Sequence, residues 1–314
     1  MASFLTAVIH RLSSLLLLVA LAPFATASPA PSARLPVVAS FSILGDLVEQ
    51  VGGDRVEVYT LVGPGADAHS YQPTPADARR LLRARLVVVN GLGFEGWIER
   101  LIESAGYRGP LVVASRGVQV LRPLPTLTHS GHAHPHKVAD ADPHAWQDLG
   151  NARRYVDNIA AALAAADPAG AAFYQANAGR LNEQLKQLEN EIRMTLSTLP
   201  AERRTVVTSH DAFAYFGRAY GIRFIAAVGV SNDAEPSAAD VAAIIRQLRQ
   251  NRIKTVFLEA ITDPRLLQRI SSESGARIGG TLYSDSLAKP GTPAATYLGM
   301  MRENFHTLRA ALID

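Results

Sequence analysis

Five of the nine histidines in this 314-residue chain fall between His129 and His144. The stretch Thr128-His-Ser-Gly-His-Ala-His-Pro-His136 is followed shortly by Asp142-Pro-His-Ala-Trp146. Neutral imidazole is the commonest side-chain ligand for borderline metals such as zinc, so the cluster points to transition-metal handling. A solvated polar loop is the plain alternative. The spacing is not a local zinc motif, because no His-Glu-x-x-His and no paired-cysteine knuckle occurs. A metal site therefore needs further ligands brought in by the fold.

Short β-branched runs alternate with helical patterns along the chain, the signature of βαβ units around a mostly parallel sheet. The chain also resembles itself. Pro36–Ser40 reads as a strand, Ser42–Val51 as a helix stopped by Gly52-Gly53, and Val56–Val62 as the next strand. Thr205–Ser209, Ala212–Tyr220 with Gly221 as its stop, and Ile222–Val228 repeat that order. Helix Pro75–Arg83 and strand Leu86–Asn90 match helix Ser237–Arg249 and strand Thr255–Glu259. Leu111–Ala114 and Arg277–Leu282 then close the two units. The expected fold class is α/β, with two similar lobes, each a mostly parallel sheet flanked by helices. One long helix bridges them: Asp167-Pro168 suits a helix start, and Leu181, Leu185, Leu188 and Ile192 recur at helical spacing up to Pro200. The expected division is a signal peptide over 1–27, a first lobe over 28–166 with the His-rich loop at about 128–140, a linking helix over 167–199 and a second lobe over 200–314.

The N-terminus reads as an export signal. His10 and Arg11 precede the apolar run Leu12–Ala22, and Ala25-Thr-Ala27 offers small residues for a cut near Ala27. That run is too short for a comfortable membrane span, which needs roughly 20 residues. Cysteine is absent, which removes disulfides, thiolate ligands, a cysteine nucleophile and a lipid-bearing cysteine. An exported, unlipidated chain of this kind belongs in a bacterial periplasm. The formal net charge is +3, with Lys and Arg scattered among acids, so nucleic acid is not an expected partner.

Ligands in open α/β sheets gather outside the carboxyl ends of the strands. His69, His144, His210 and Asp285 occupy such positions, two from each lobe. Taken singly, each has an ordinary reading: His69 as a loop histidine bonded to backbone, His144 as part of the polar loop, His210-Asp211 as a helix cap, Asp285 as a turn residue. Tyr283, Trp146 and Phe213 would wall a cleft or pack in the core. Glu235 and Glu259 would accept a ligand N–H or serve as surface and cap groups.

At these positions the sequence resembles the metal-binding receptors of bacterial ABC importers, the TroA-like or helical-backbone solute-binding proteins. The motifs are Gly65-Ala-Asp-Ala-His69-Ser-Tyr-Gln-Pro-Thr-Pro-Ala-Asp77, Asp142-Pro-His144-Ala-Trp146, Ser209-His210-Asp-Ala-Phe-Ala-Tyr-Phe216 and Gly280-Thr-Leu-Tyr-Ser-Asp285-Ser-Leu287. The resemblance implies that His69, His144, His210 and Asp285 are the metal ligands, in a cleft between two lobes bridged by one long helix. It also implies a monomeric receptor, not an enzyme, that hands the ion to a membrane permease with a cytoplasmic ATPase.

Three imidazoles and one carboxylate suit tetrahedral zinc, whereas manganese favours more oxygen donors. Manganese receptors of this family commonly carry a carboxylate where this chain has His210. Zinc is the expected ion, with manganese, or both, as the alternative. His129, His132, His134 and His136 resemble the His-rich insertion of the family's zinc receptors, and are expected to capture metal weakly. Three histidines around zinc also describe hydrolases, which keep one coordination position open and need a nearby base. A surface adhesin or a free metallochaperone would share the same site.

Overall fold

The computed structural model describes residues 33–122, 141–229 and 237–313. The expected export signal, its cut near Ala27, Glu235 and the four histidines His129, His132, His134 and His136 lie outside the described residues.

The first lobe runs β1 (Leu35–Phe41), α1 (Ser42–Gly52), β2 (Val56–Val62), α2 (Pro75–Arg83), β3 (Leu86–Val89), α3 (Ile98–Ala105) and β4 (Leu111–Val113). Its strands form a parallel sheet of order β2-β1-β3-β4. Two helices follow, α4 (Leu149–Ala166) and α5 (Ala171–Ser197). The second lobe runs β5 (Thr205–Thr208), α6 (Ala214–Tyr220), β6 (Arg223–Ala226), α7 (Ala238–Gln250), β7 (Thr255–Glu259), α8 (Arg265–Ser274) and β8 (Arg277–Leu282), and the chain ends in α9 (Tyr297–Leu312). Its sheet, also parallel, has the order β6-β5-β7-β8, the same permutation as the first. The internal resemblance read from the sequence is thus a resemblance of topology.

Parallel strands covered on both faces read as unbroken apolar runs, and Val37, Val38, Ala39 and Leu86–Val89 are all buried. The two lobes also start corresponding helices alike. Thr74 caps α2 and Ser237 caps α7, each reciprocated by an aspartate three residues on, Asp77 and Asp240. Gly221 ends α6 in the left-handed region, φ 76°, where a side chain would be strained. Gly45 lets α1 lie directly on β2, since a Cβ there would collide with the Thr60 side chain.

Helix α5 has 27 residues, roughly 40 Å at 1.5 Å per residue. It starts at Ala171 rather than at the expected Asp167. Pro168 sits in a short 3-10 turn ahead of it, and Asp167 ends α4, accepting from Arg55 and Tyr174. Helix α5 runs antiparallel to α4, tied by Asn182 to Asp157 at 2.8 Å and by Arg153 to Glu189, and packs on both α1 and α9. One hydrophobic core therefore continues from the first sheet through α4 and α5 to α9. A second, separate core lies between the second sheet and α7 and α8, built on Val207, Ile244, Leu248, Val256, Leu267 and Ile270. Among the described residues no helix is long and apolar enough to cross a membrane.

Candidate metal centre

The strand ends of the two sheets face one another, and four side chains meet between them. His69 lies in the loop after β2, His144 just ahead of α4, His210 two residues past β5 and Asp285 three residues past β8. One donor atom from each falls within 4.8 Å of every other. His69 Nε2 is 3.4 Å from His144 Nε2 and 3.5 Å from Asp285 Oδ2. His144 Nε2 is 3.4 Å from Asp285 Oδ1, and His210 Nε2 is 3.0 Å from Asp285 Oδ2. The edges of a tetrahedron around a cation with bonds of ~2.0–2.1 Å measure about 3.3 Å, close to these four spacings, and the other two pairs lie within 4.8 Å. His144 and His210 are wholly buried and Asp285 nearly so, while His69 keeps a small exposed edge.

Each histidine is held from behind. Asp67 Oδ1 accepts the His69 backbone N–H at 2.8 Å, and Asp142 Oδ1 accepts the His144 backbone N–H at 2.9 Å. Asp142 also lies 2.9 Å from His144 Nδ1, leaving Nε2 to face the centre. Glu259 Oε1 accepts the His210 backbone N–H at 2.9 Å, and Oε2 lies 2.7 Å from His210 Nδ1. That last contact is short but off the hydrogen-bond axis, and it keeps the carboxylate against the Nδ1 edge of the ring. Burial opposes a charge on His210, but Glu259 and Asp285 on either side outweigh it and lift its pKa well above 6.5. Burial likewise opposes ionisation of Asp285, and the His210 and His144 imidazoles beside it overcome that and hold its pKa well below 3.8. A buried anion flanked by imidazoles is a place for positive charge.

The segment carrying Asp285 belongs to the second lobe by sequence but is stitched to the first. Ser42 Oγ accepts the Leu287 N–H at 3.0 Å, Ser286 Oγ accepts from Gly65 N at 2.7 Å, and the Gly65 N–H also reaches the Leu287 carbonyl at 3.0 Å. Trp146 Nε1 and Gln147 Nε2 donate to the Ser284 carbonyl at 2.9 and 2.8 Å. His210, in contrast, is fixed within the second lobe, through Glu259 and through Ser209 Oγ to Thr262 Oγ1 at 3.0 Å. His69 and His144 are thus held by the first lobe, Asp285 by both lobes, and His210 by the second sheet, while α6 beyond it ties back through the Tyr215 hydroxyl, which donates to the Asp142 carbonyl at 3.0 Å.

The structure brings together all four residues singled out at strand ends, and puts Glu259 against one of them. Trp146 stands 5.3 Å from the His144 ring, beside the centre. Phe213 instead stacks on Phe224 in the core, and the Tyr283 backbone N–H is taken by Asn304. Sequence reading missed Phe94, which meets the His69 ring edge-on at 4.7 Å. It also missed the buried Glu95, which accepts from Ser40 Oγ and the Asn90 N–H and shapes the loop after β3. Asp142 stands in a motif there without a role of its own. A local signal existed for that residue: Asp-x-His occurs at both Asp67-Ala-His69 and Asp142-Pro-His144, and an aspartate two residues before a backbone N–H is the usual Asx-turn geometry.

Comparison with known proteins bears on this geometry. Residues 37–311 match the profile of the family described as zinc-uptake complex component A, periplasmic. The manganese-binding lipoprotein MntA of Halalkalibacterium halodurans is 34% identical over 279 residues, 88% of each chain. The iron-binding protein YfeA of Yersinia pestis is 34% identical over 292 residues, 93% of this chain and 91% of its own. The solved structure of the periplasmic zinc-binding protein TroA of Treponema pallidum superposes with a TM-score of 0.80 at 28% identity, over 90% of this chain and all of that one.

Proposed function

Because the chain belongs to the family of zinc-uptake complex component A, the metal-binding receptors of ABC importers, we propose that it captures zinc in the periplasm, between its two lobes, and delivers it to a membrane permease. Members of the family are substrate-binding receptors rather than enzymes and work with a permease and its ATPase. The observation that carries the choice of ion is the donor set. His69, His144 and His210 offer three nitrogens and Asp285 one carboxylate, all within 4.8 Å, a set suited to four-coordinate zinc. In this reading the four side chains are the ligands, and a sphere closed by four protein donors leaves no open position for activating water. Export as a monomer with the leader removed near Ala27 completes it.

Manganese, or both ions, is the second reading, favoured by relatives whose names specify manganese. Competitive titration of the mature protein decides between them, with His210→Glu alongside. Zinc outcompeting manganese in the parent, and a shift towards manganese in His210→Glu, is the expected result. Manganese winning in the parent overturns the choice of zinc. Asp285→Ala should weaken zinc binding by more than about 100-fold, beyond the 10- to 100-fold typical of losing a group behind a ligand.

A further inference from the structure

Glu259 is the last residue of β7 and 3% exposed. Among the described residues, both oxygens of its carboxylate are directed at one partner. Oε1 takes the His210 backbone N–H at 2.9 Å and Oε2 sits 2.7 Å from the ring Nδ1. The grip is long-range, joining residues 49 apart in sequence, so it docks the loop after β5 onto the neighbouring strand of the same sheet. Asp142 holds His144 in a similar way, but from two residues away. Its hold is a feature of one turn, whereas that of Glu259 is a feature of the sheet.

A carboxylate behind an imidazole does three things for a ligand. It keeps the proton on Nδ1, so that the Nε2 lone pair faces the ion. It stops the ring from turning, and it raises the basicity of the donor nitrogen. Here it also places a second buried anion near the centre, behind the donor that follows β5. Affinity for nitrogen donors rises from manganese towards zinc, so the gain from a more basic, better-aimed imidazole is larger for zinc. We infer that Glu259 is a positioning residue that aims His210 and sets the preference of the site for zinc over manganese, a role that rests on His210 being a metal ligand as proposed above.

The test uses the mature protein and its Glu259→Gln, Asp46→Asn and His210→Ala variants, each titrated with zinc and with manganese at one pH against a competing chelator. Cobalt(II) absorption serves as a signature of the coordination sphere. Asp46→Asn is the control for loss of a buried carboxylate, since Asp46, on α1, accepts from the Tyr297 backbone N–H and from Gln50 and, among the described residues, holds no histidine. Glu259→Gln is expected to weaken zinc about 10- to 100-fold, to weaken manganese clearly less, and to alter the cobalt spectrum. Asp46→Asn should lower the melting temperature with the zinc-to-manganese ratio unchanged. Should Glu259→Gln not fold, Glu259→Asp reads the same property, since it keeps the charge but shortens the reach, and the same loss of zinc preference is expected. Equal losses for both metals, or a ratio unmoved in Glu259→Gln and Glu259→Asp, overturns the inference. Unchanged zinc affinity in His210→Ala overturns the ligand assignment itself, and is distinguishable because it leaves no role for Glu259 to support.

Discussion

His210 sits between Asp285 and Glu259, and that placement fixes how the protein should respond to pH. Its pKa is lifted above 6.5 by the two carboxylates despite burial. In the metal-free protein its pairing therefore contributes fully below the ordinary imidazole value and is lost as pH rises through the raised one. Asp285 is depressed below 3.8, so its contribution is present above the ordinary carboxylate value and is lost only as pH falls through the depressed one. A melting series in chelator should show the melting temperature falling on the alkaline side of neutral. With zinc bound the fall should vanish, because the cation takes over from the proton. Zinc affinity should for the same reason drop as pH falls towards 6 and below, since the imidazoles must be neutral to bind; a titration flat in pH would count against imidazole ligation. Much of this residue-level picture was legible in sequence. Strand ends singled out His69, His144, His210 and Asp285, and Asp-x-His, written twice, would have added Asp142. Phe94 and Glu95 were not legible, because nothing local distinguishes a phenylalanine that meets an imidazole from one that fills a core.

The elements that hold the centre are linked by a few buried hydrogen bonds, and these can be cut one at a time. Ser42, at the start of α1, accepts the Leu287 N–H and faces Ser286 Oγ at 3.3 Å, all in buried surroundings. Ser42→Ala should cost about 1–3 kcal/mol by leaving that N–H unsatisfied. It should also weaken metal binding, since the segment it releases carries Asp285. Thermal melting and a zinc titration on the same variant test both halves, and lost stability with unchanged affinity would separate the segment from the site. Strands were read well because β-branched runs such as Val56–Val62 carry a strong signal. Helix α4 was overlooked. It buries Leu149, Ala152, Tyr155, Val156, Ile159, Ala160 and Leu163 at helical spacing, but its exposed side is also rich in alanine, so the contrast that reveals an amphipathic helix is weak. The sequence places the start of α5 too early for a related reason: Pro168 suits a first turn of either kind, and it is the extended Asp167 backbone, φ −138°, that ends α4, with Arg55 holding its carboxylate. The stitching of Ser284–Leu287 to the first lobe joins residues more than 130 positions apart, and no local pattern encodes it.

For the molecule as a whole, the smaller core beneath α7 and α8 is separate from the main one, and β5 and β7, the strands that lead to His210 and Glu259, border it through Val207 and Val256. Hydrogen exchange without metal should be faster in β5 to β8 than in β1 to β3, with zinc slowing it most around β5 and β7. Uniform protection would show that the ion does not bridge the two sides. Deleting 131–138, which removes most of the His-rich stretch, should slow or weaken accumulation at low zinc while one tight site per chain remains; loss of that tight site would assign those histidines to the centre itself. The positions of the four donors along the chain have a last consequence. His69 and His144 are 75 residues apart, as are His210 and Asp285. An ion held by all four would close loops of the size that disulfides close elsewhere, each worth about 4 kcal/mol in chain entropy, in a chain with no cysteine. The cargo would then double as a removable cross-link: a loaded receptor resists heat and proteases, and one that has just delivered its ion stands temporarily unfastened until the next ion arrives.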